Sequence, residues 1–241
     1  MNILPNAEIV DLALYLKSTL VISDVHIGYE ESLNRQGVLI PRLQFDEIIG
    51  RMERIFSILQ DKNIEKIVIN GDLKHEFGTI SEQEWRNTLK FLDLLAKHCK
   101  EIVLIKGNHD TILGPIARKR NVKIVQNIII GDILVAHGDK IPSSDMIGKV
   151  STIIIGHAHP AISLKEGSKI ETYKCFLKGK YKGKNLIVQP SFNSMIEGTN
   201  ILRNEIISPF LKQNLDNFEI YIMEDKAYNF GKLKNLRNRL L

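Results

Sequence analysis

The sequence predicts a single α/β domain with mixed β-sheets over residues 1–241. Short β-branched runs alternate with two long stretches of helical apolar spacing, and several runs end directly in a cluster of Gly, Asp and His. A chain of 241 residues with 44% hydrophobic content can also bury one sizeable core. No internal repeat, low-complexity tract or linker divides it.

Residues 12–16 and 19–23 read as strands joined by a hairpin at Lys17-Ser18. Phe45, Ile48, Ile49, Met52, Ile55, Phe56 and Leu59 then recur at helical spacing with polar residues opposite. A β-branched run over 66–70 follows. Ser81-Glu82-Gln83-Glu84 has the capping-box form, with Glu84 at the third helical position, and opens a second helix turning Trp85, Leu89, Leu92 and Leu95 inward. His98, near its end, is expected to answer the helix's carbonyl terminus. Further strands are predicted over 102–105, 122–125, 128–130, 133–136 and 152–155. The stretch 161–223 reads as strands and turns, including 173–177, 186–188 and 218–223.

Net charge is +5 and charged residues make up 25% of the chain, which suits an anionic substrate without proving one. Lys165, Lys169, Lys174, Lys178, Lys180, Lys182 and Lys184 form one basic stretch and Lys232 to Arg239 another. Both read as solvated faces, with nucleic-acid contact through counterion release as the alternative. Tyr173, Phe176 and Tyr181 are too sparse for a base-stacking platform. Cys99 and Cys175 lack CxxC spacing and are expected to be thiols in a reducing compartment. There is no basic leader followed by an apolar stretch, and no apolar run approaches the ~20 residues of a membrane span. A soluble cytoplasmic protein is expected.

Six of the seven histidines fall in Asp24-Val25-His26, Gly71-Asp72-Leu73-Lys74-His75, Gly107-Asn108-His109-Asp110, Ala136-His137-Gly138-Asp139 and Gly156-His157-Ala158-His159. Each piece sits at or just past a predicted strand, and loops leaving strand ends gather on one side of a layered α/β fold. Carboxylate, amide oxygen and imidazole together suit divalent manganese, iron, cobalt, nickel or zinc. Gly71, Gly107 and Gly156 are expected to let the backbone turn sharply before the side chain that acts.

This series resembles the calcineurin-like metallophosphoesterase superfamily. Ser23 to Glu30, Gly71 to Glu76, Gly156 to Ala161, Gln189-Pro190-Ser191-Phe192-Asn193 and Ser208-Pro209-Phe210 are more narrowly similar to the archaeal and bacterial ICC-like phosphoesterases. Those are relatives of the nuclease subunit of double-strand-break repair complexes. The resemblance implies a four-layer fold, with two mixed β-sheets packed as a sandwich flanked by helices. It implies two divalent ions, manganese first. Asp24, His26, Asp72 and His159 would hold one ion. Asp72, Asn108, His137 and His157 would hold the other, with Asp72 bridging.

The same resemblance gives His109 as general acid toward the leaving group, working with a metal-bridging hydroxide. Asp110 is expected to orient that region. Phosphoprotein phosphatases of the superfamily carry Gly-Asp-x-x-Asp-Arg-Gly where this chain has His75-Glu76. The histidine form is the one in the repair nucleases, so His75 points to a phosphodiesterase acting on nucleic acid or a nucleotide-type diester. A phosphomonoesterase is the alternative. A non-catalytic scaffold such as the retromer subunit of this fold is disfavoured because the site histidines are present. Arg35, Arg42 and Lys106 are the candidate phosphate contacts.

Overall fold

Side-chain alternation decides how the two sheets meet. In the computed structural model, which describes residues 1–76, 80–110, 113–167, 169–203 and 207–240, the first sheet has seven strands in sequence order. These are β1 (Asn2–Leu4), β2 (Ala7–Val10), β3 (Ala13–Leu16), β4 (Thr19–Ile22), β5 (Lys66–Asn70), β6 (Glu101–Ile105) and β7 (Lys123–Val125). β1 to β4 run antiparallel; β4 to β7 are parallel. Lys17 and Ser18 both have positive φ, the geometry a two-residue hairpin turn requires.

The second sheet contains β8 (Asn127–Ile130), β9 (Ile133–Ala136), β10 (Thr152–Ile155), β11 (Pro160–Glu166), β12 (Lys169–Tyr181), β13 (Lys184–Val188), β14 (Thr199–Asn200), β15 (Glu219–Met223) and β16 (Ala227–Lys232). Here β9, β10 and β13 are parallel, and β12 pairs antiparallel with β11, β13 and β15. Alternate residues divide between two cores. Val135, Ile154, Phe176, Ile187 and Tyr221 face the first sheet. Leu134, Ile153, Ile155, Leu177 and Leu186 face outward, under Ile147, Leu233 and Leu236.

Helices close both outer faces. α1 (Tyr29–Arg35), α2 (Gln44–Ile58), α3 (Glu82–Ala96) and α4 (Gly114–Arg120) belong to the first half; α5 (Ser144–Gly148) and α6 (Leu233–Leu240) lie against the second sheet. α2 buries Ile48, Met52, Ile55 and Phe56, as its spacing dictates. α3 buries Phe91, Leu92 and Leu95 fully, whereas Trp85 and Leu89 are only half-buried. His98 does not cap this helix; its ring stacks on Phe56, 3.8 Å between centroids and 8° from parallel. The result is the expected pair of mixed sheets flanked by helices.

Lys174 departs from the solvated-lysine expectation. Its Nζ donates to the carbonyls of Ser191 (2.8 Å) and Asn193 (2.5 Å) beneath the loop that follows β13. Burial pushes its amine down to about 7. The side chain of Arg239, in the C-terminal basic run, lies outside the described residues. No helix among the described residues is long and apolar enough to cross a membrane. Phe176 is fully buried between the sheets, so Phe176→Ala is expected to cost about 3–5 kcal/mol in chemical denaturation.

Candidate metal centre

Five parallel strands, three from the first sheet and two from the second, deliver their polar motifs to one place. β4 runs into Asp24 and His26, β5 into Asp72 and β6 into Asn108. β9 supplies His137, and β10 supplies His157 and His159. Asp24, His26 and His159 place donor atoms within 4.8 Å of one another, as do Asp72, His137 and His157. Asp72 Oδ2 lies between the groups, 3.8 Å from His26 Nε2 and 3.4 Å from His137 Nε2. Asn108 Oδ1 is 3.1 Å from His137 Nε2. All seven residues proposed from the sequence as metal ligands therefore meet in one place.

The backbone there is unusual. Asp24, His26, Asp72, His157 and His159 all have positive φ, which costs non-glycine residues roughly 1–3 kcal/mol each and is found where a site is over-determined. Hydrogen bonds hold these conformations. Ser191 Oγ donates to the Asp24 carbonyl at 2.8 Å, Gln44 Nε2 to the His26 carbonyl at 2.9 Å, and the His26 N–H to the Asp72 carbonyl at 2.8 Å.

The three motif glycines serve space more than turning. Only Gly71 has positive φ. A Cβ on it would overlap His137, one on Gly107 would overlap Asp72, and one on Gly156 would overlap Ser23 and Asp24.

The electrostatics suit a cation. Asp24 is fully buried, yet His159, His137 and His26 outweigh that desolvation and hold its carboxyl below the usual range. Burial, then His159, pushes His26 down to about 3, so the ring is neutral with a lone pair to offer. His137 goes the other way: against burial, Asp72 and Asp24 raise it to about 9. Its proton stands where a metal's charge would neutralise both carboxylates. Asp24 Oδ1, both His26 ring nitrogens and His159 Nε2 are buried without a hydrogen-bond partner. Asp24 Oδ1 and His159 Nε2 are 3.2 Å apart but misaligned for a hydrogen bond. Such orphaned donors are what a bound ion satisfies.

Beside this cluster, His26, His75 and His109 converge as a third group. The His75 and His109 rings lie 5.3 Å apart, and the Tyr29 ring meets His75 edge-on at 4.9 Å. The His109 N–H donates to Asp72 Oδ1 at 2.8 Å. Asp110 sits beneath, 1% exposed, its two oxygens accepting the N–H groups of Leu73 (3.1 Å) and Gly107 (3.0 Å). Burial, then Asp72, raises it to about 7. It braces two site loops from below.

Lys106 lines a cleft of about 430 Å3 together with Asn108, His137, Gln126 and Lys140. Arg35 and Arg42 do not line that cleft. Both pair with Glu31, at 3.5 and 3.2 Å, in a separate groove with Arg86 and Lys90. Sequence reasoning missed the supporting roles of Ser23, Gln44, Lys74 and Glu84: Ser23 and Lys74 lie inside motifs whose other residues carry the chemistry, Glu84 reads as a helix cap, and Gln44 carries no motif. Ser23 Oγ donates to Asp24 Oδ2 at 2.5 Å.

The calcineurin-like phosphoesterase profile matches residues 17–206, most of the sequence and every motif in the site. The chain belongs to the calcineurin-like phosphoesterase family. Family and clustered donors together indicate a divalent metal centre serving phosphoester hydrolysis. No curated protein matches it in sequence. Among solved structures, Pseudomonas putida nuclease MPE is similar at 18% identity and TM-score 0.65, over 92% of this chain and 93% of that one. The Escherichia coli phosphoesterase Yfce is 12% identical with TM-score 0.37, over 84% of this chain and 87% of its own. The first of these shows a shared fold.

Gly107→Ala is expected to displace Asp72 and weaken metal binding in a manganese titration, with the circular dichroism spectrum retained. Saturating metal should stabilise the wild type, by ~2.7 kcal/mol at a hundredfold excess over Kd. Asp72→Asn should lose most of that gain in thermal denaturation, because one carboxylate faces both donor groups.

Proposed function

We propose that this chain is a dinuclear, metal-dependent phosphodiesterase. Asp24, His26, Asp72 and His159 would hold one ion, and Asp72, Asn108, His137 and His157 the other, with manganese the preferred metal. Bound there, the ions would supply activated water and neutralise phosphate charge. The chain's own groups do the rest. His109 delivers a proton to the leaving oxygen, His75 lines the leaving-group side, and Lys106 draws the phosphate into the cleft. Arg35 and Arg42, paired with Glu31, have no first role in this reading.

The observation that carries the diester over the monoester is the imidazole pair His75–His109. Burial, then His109, lowers His75 to about 4, so it is neutral near pH 7. A neutral ring adds no fixed positive charge for a dianionic monoester, but it suits a singly charged diester whose alkoxide must be protonated on departure. One apolar core joins both sheets, which supports a single domain. Cys99 and Cys175 are unbonded thiols, as a cytoplasmic protein would keep them. That a nuclease shares the fold makes nucleic acid the first polymeric substrate to test.

With manganese, bis-p-nitrophenyl phosphate should turn over faster than p-nitrophenyl phosphate. The reverse order would make the protein a monoesterase, and no turnover of either with several divalent ions would remove the catalytic reading. His109→Ala should keep its metal and lose roughly 10²–10⁴ in kcat, most with poor leaving groups. Equal losses across leaving groups would rule out the proton donor.

A further inference from the structure

The capping-box sequence at the start of α3 is only half used as a cap. Ser81 Oγ accepts the Glu84 N–H at 3.0 Å, as the motif requires. The Glu84 carboxylate instead reaches into the His75 loop, where Oε1 accepts the N–H groups of His75 (2.9 Å) and Glu76 (3.2 Å). Glu84 is 1% exposed. Desolvation raises its pKa, so a surface glutamate would end the helix at less cost. Gly28 packs against it so closely that a Cβ there would stand 2.9 Å from Glu84 Cδ.

The anchored peptide leads straight to His109. The His75 carbonyl lies 2.6 Å from His109 Nδ1. A carbonyl only accepts, so the proton of that bond sits on Nδ1 and Nε2 is the nitrogen left to exchange a proton. Lys74, fully buried, pins the same turn from the other side, its Nζ donating to the carbonyls of Glu76 and, at 2.9 Å, His109. Glu84 thus holds the amides of the His75–Glu76 segment, and Lys74 ties the Glu76 carbonyl of that segment to the His109 loop.

We propose that Glu84 is a positioning residue for the reaction: by fixing the His75 peptide, it sets the tautomer and direction of the His109 ring. It acts entirely through the His75 carbonyl. The inference rests on His109 as proton donor, as proposed above.

Glu84→Gln keeps a carbonyl oxygen for the two amides; Glu84→Ala removes it, and Glu84→Met removes it while filling the space. The first readout needs no metal. In metal-free protein labelled with 15N-histidine, the ring correlation spectrum should show a His109 Nδ1–H signal (assigned by its loss in His109→Ala) in wild type and Glu84→Gln. That signal should be absent in Glu84→Ala and Glu84→Met. The second is turnover of aryl diesters with manganese. Glu84→Ala should lose roughly tenfold more with a poor phenol leaving group than with p-nitrophenolate, a part of the full acid-catalysis range, and Glu84→Gln should restore it. An unchanged His109 signal in both Ala and Met variants would overturn the proposal, as would a uniform rate loss in which Gln fares no better than Ala. If the wild type hydrolyses no diester, the phosphodiesterase reading falls, while the ring signal still decides whether Glu84 positions His109.

Discussion

Two carboxylates buried within reach of the same imidazoles are the constraint around which this protein is built. Asp24 and Asp72 are 0% and 2% exposed, and ionised groups in such surroundings are tolerated only when charge and hydrogen bonds answer them. His137 answers both, 3.7 Å from Asp24 and 3.4 Å from Asp72. His26, by contrast, is pushed by burial toward its neutral form, which offers one ring lone pair. Carboxylates and imidazoles gathered so closely form the donor arrangement that a divalent cation would complete.

The scaffold gives up stability to keep that pocket. Left-handed backbone at Asp24, His26, Asp72, His157 and His159 would by itself cost an amount comparable to the 5–15 kcal/mol that separates folded from unfolded domains. Supports on neighbouring elements offset the cost. The loop after β13 is the clearest of them: Lys174 holds its carbonyls, Ser191 holds Asp24, and the Phe192 N–H donates to the Ser23 carbonyl at 2.8 Å. Phe192 is itself fully buried in the core between the sheets, which ties the strained turns to the best-packed part of the molecule.

Much of this was readable in advance, for identifiable reasons. Strands β4, β5, β6, β9 and β10 are continuous apolar runs because both their faces are covered, and each ends in a polar motif that marks its end. Strands that are half exposed left weaker traces. The first four residues of β12, Lys169-Ile170-Glu171-Thr172, are exposed, so only the 173–177 portion that leads into buried Cys175, Phe176 and Leu177 stood out. Edge strands β1, β14 and β16, the short strand β2 and the short helices α1, α4 and α5 carry too few periodic positions to register. The seven clustered donors were legible because each lies in a motif. Their supports were not: Glu84 looks like a capping residue and Lys174 like one of several surface lysines. Of the three glycines, Gly71 does take a positive φ, whereas Gly107 and Gly156 are needed for the room they leave.

The clustered side chains are drawn from both sheets: Asp24, His26, Asp72 and Asn108 from one, His137, His157 and His159 from the other. Protein interiors are packed as tightly as organic crystals and do not slide by small increments. A shear between the two layers would therefore pull the donor groups apart before it reshaped the surface around them. Adaptation to new ligands in this architecture must come from peripheral loops, while the seam between the layers stays as still as a hinge pin welded shut.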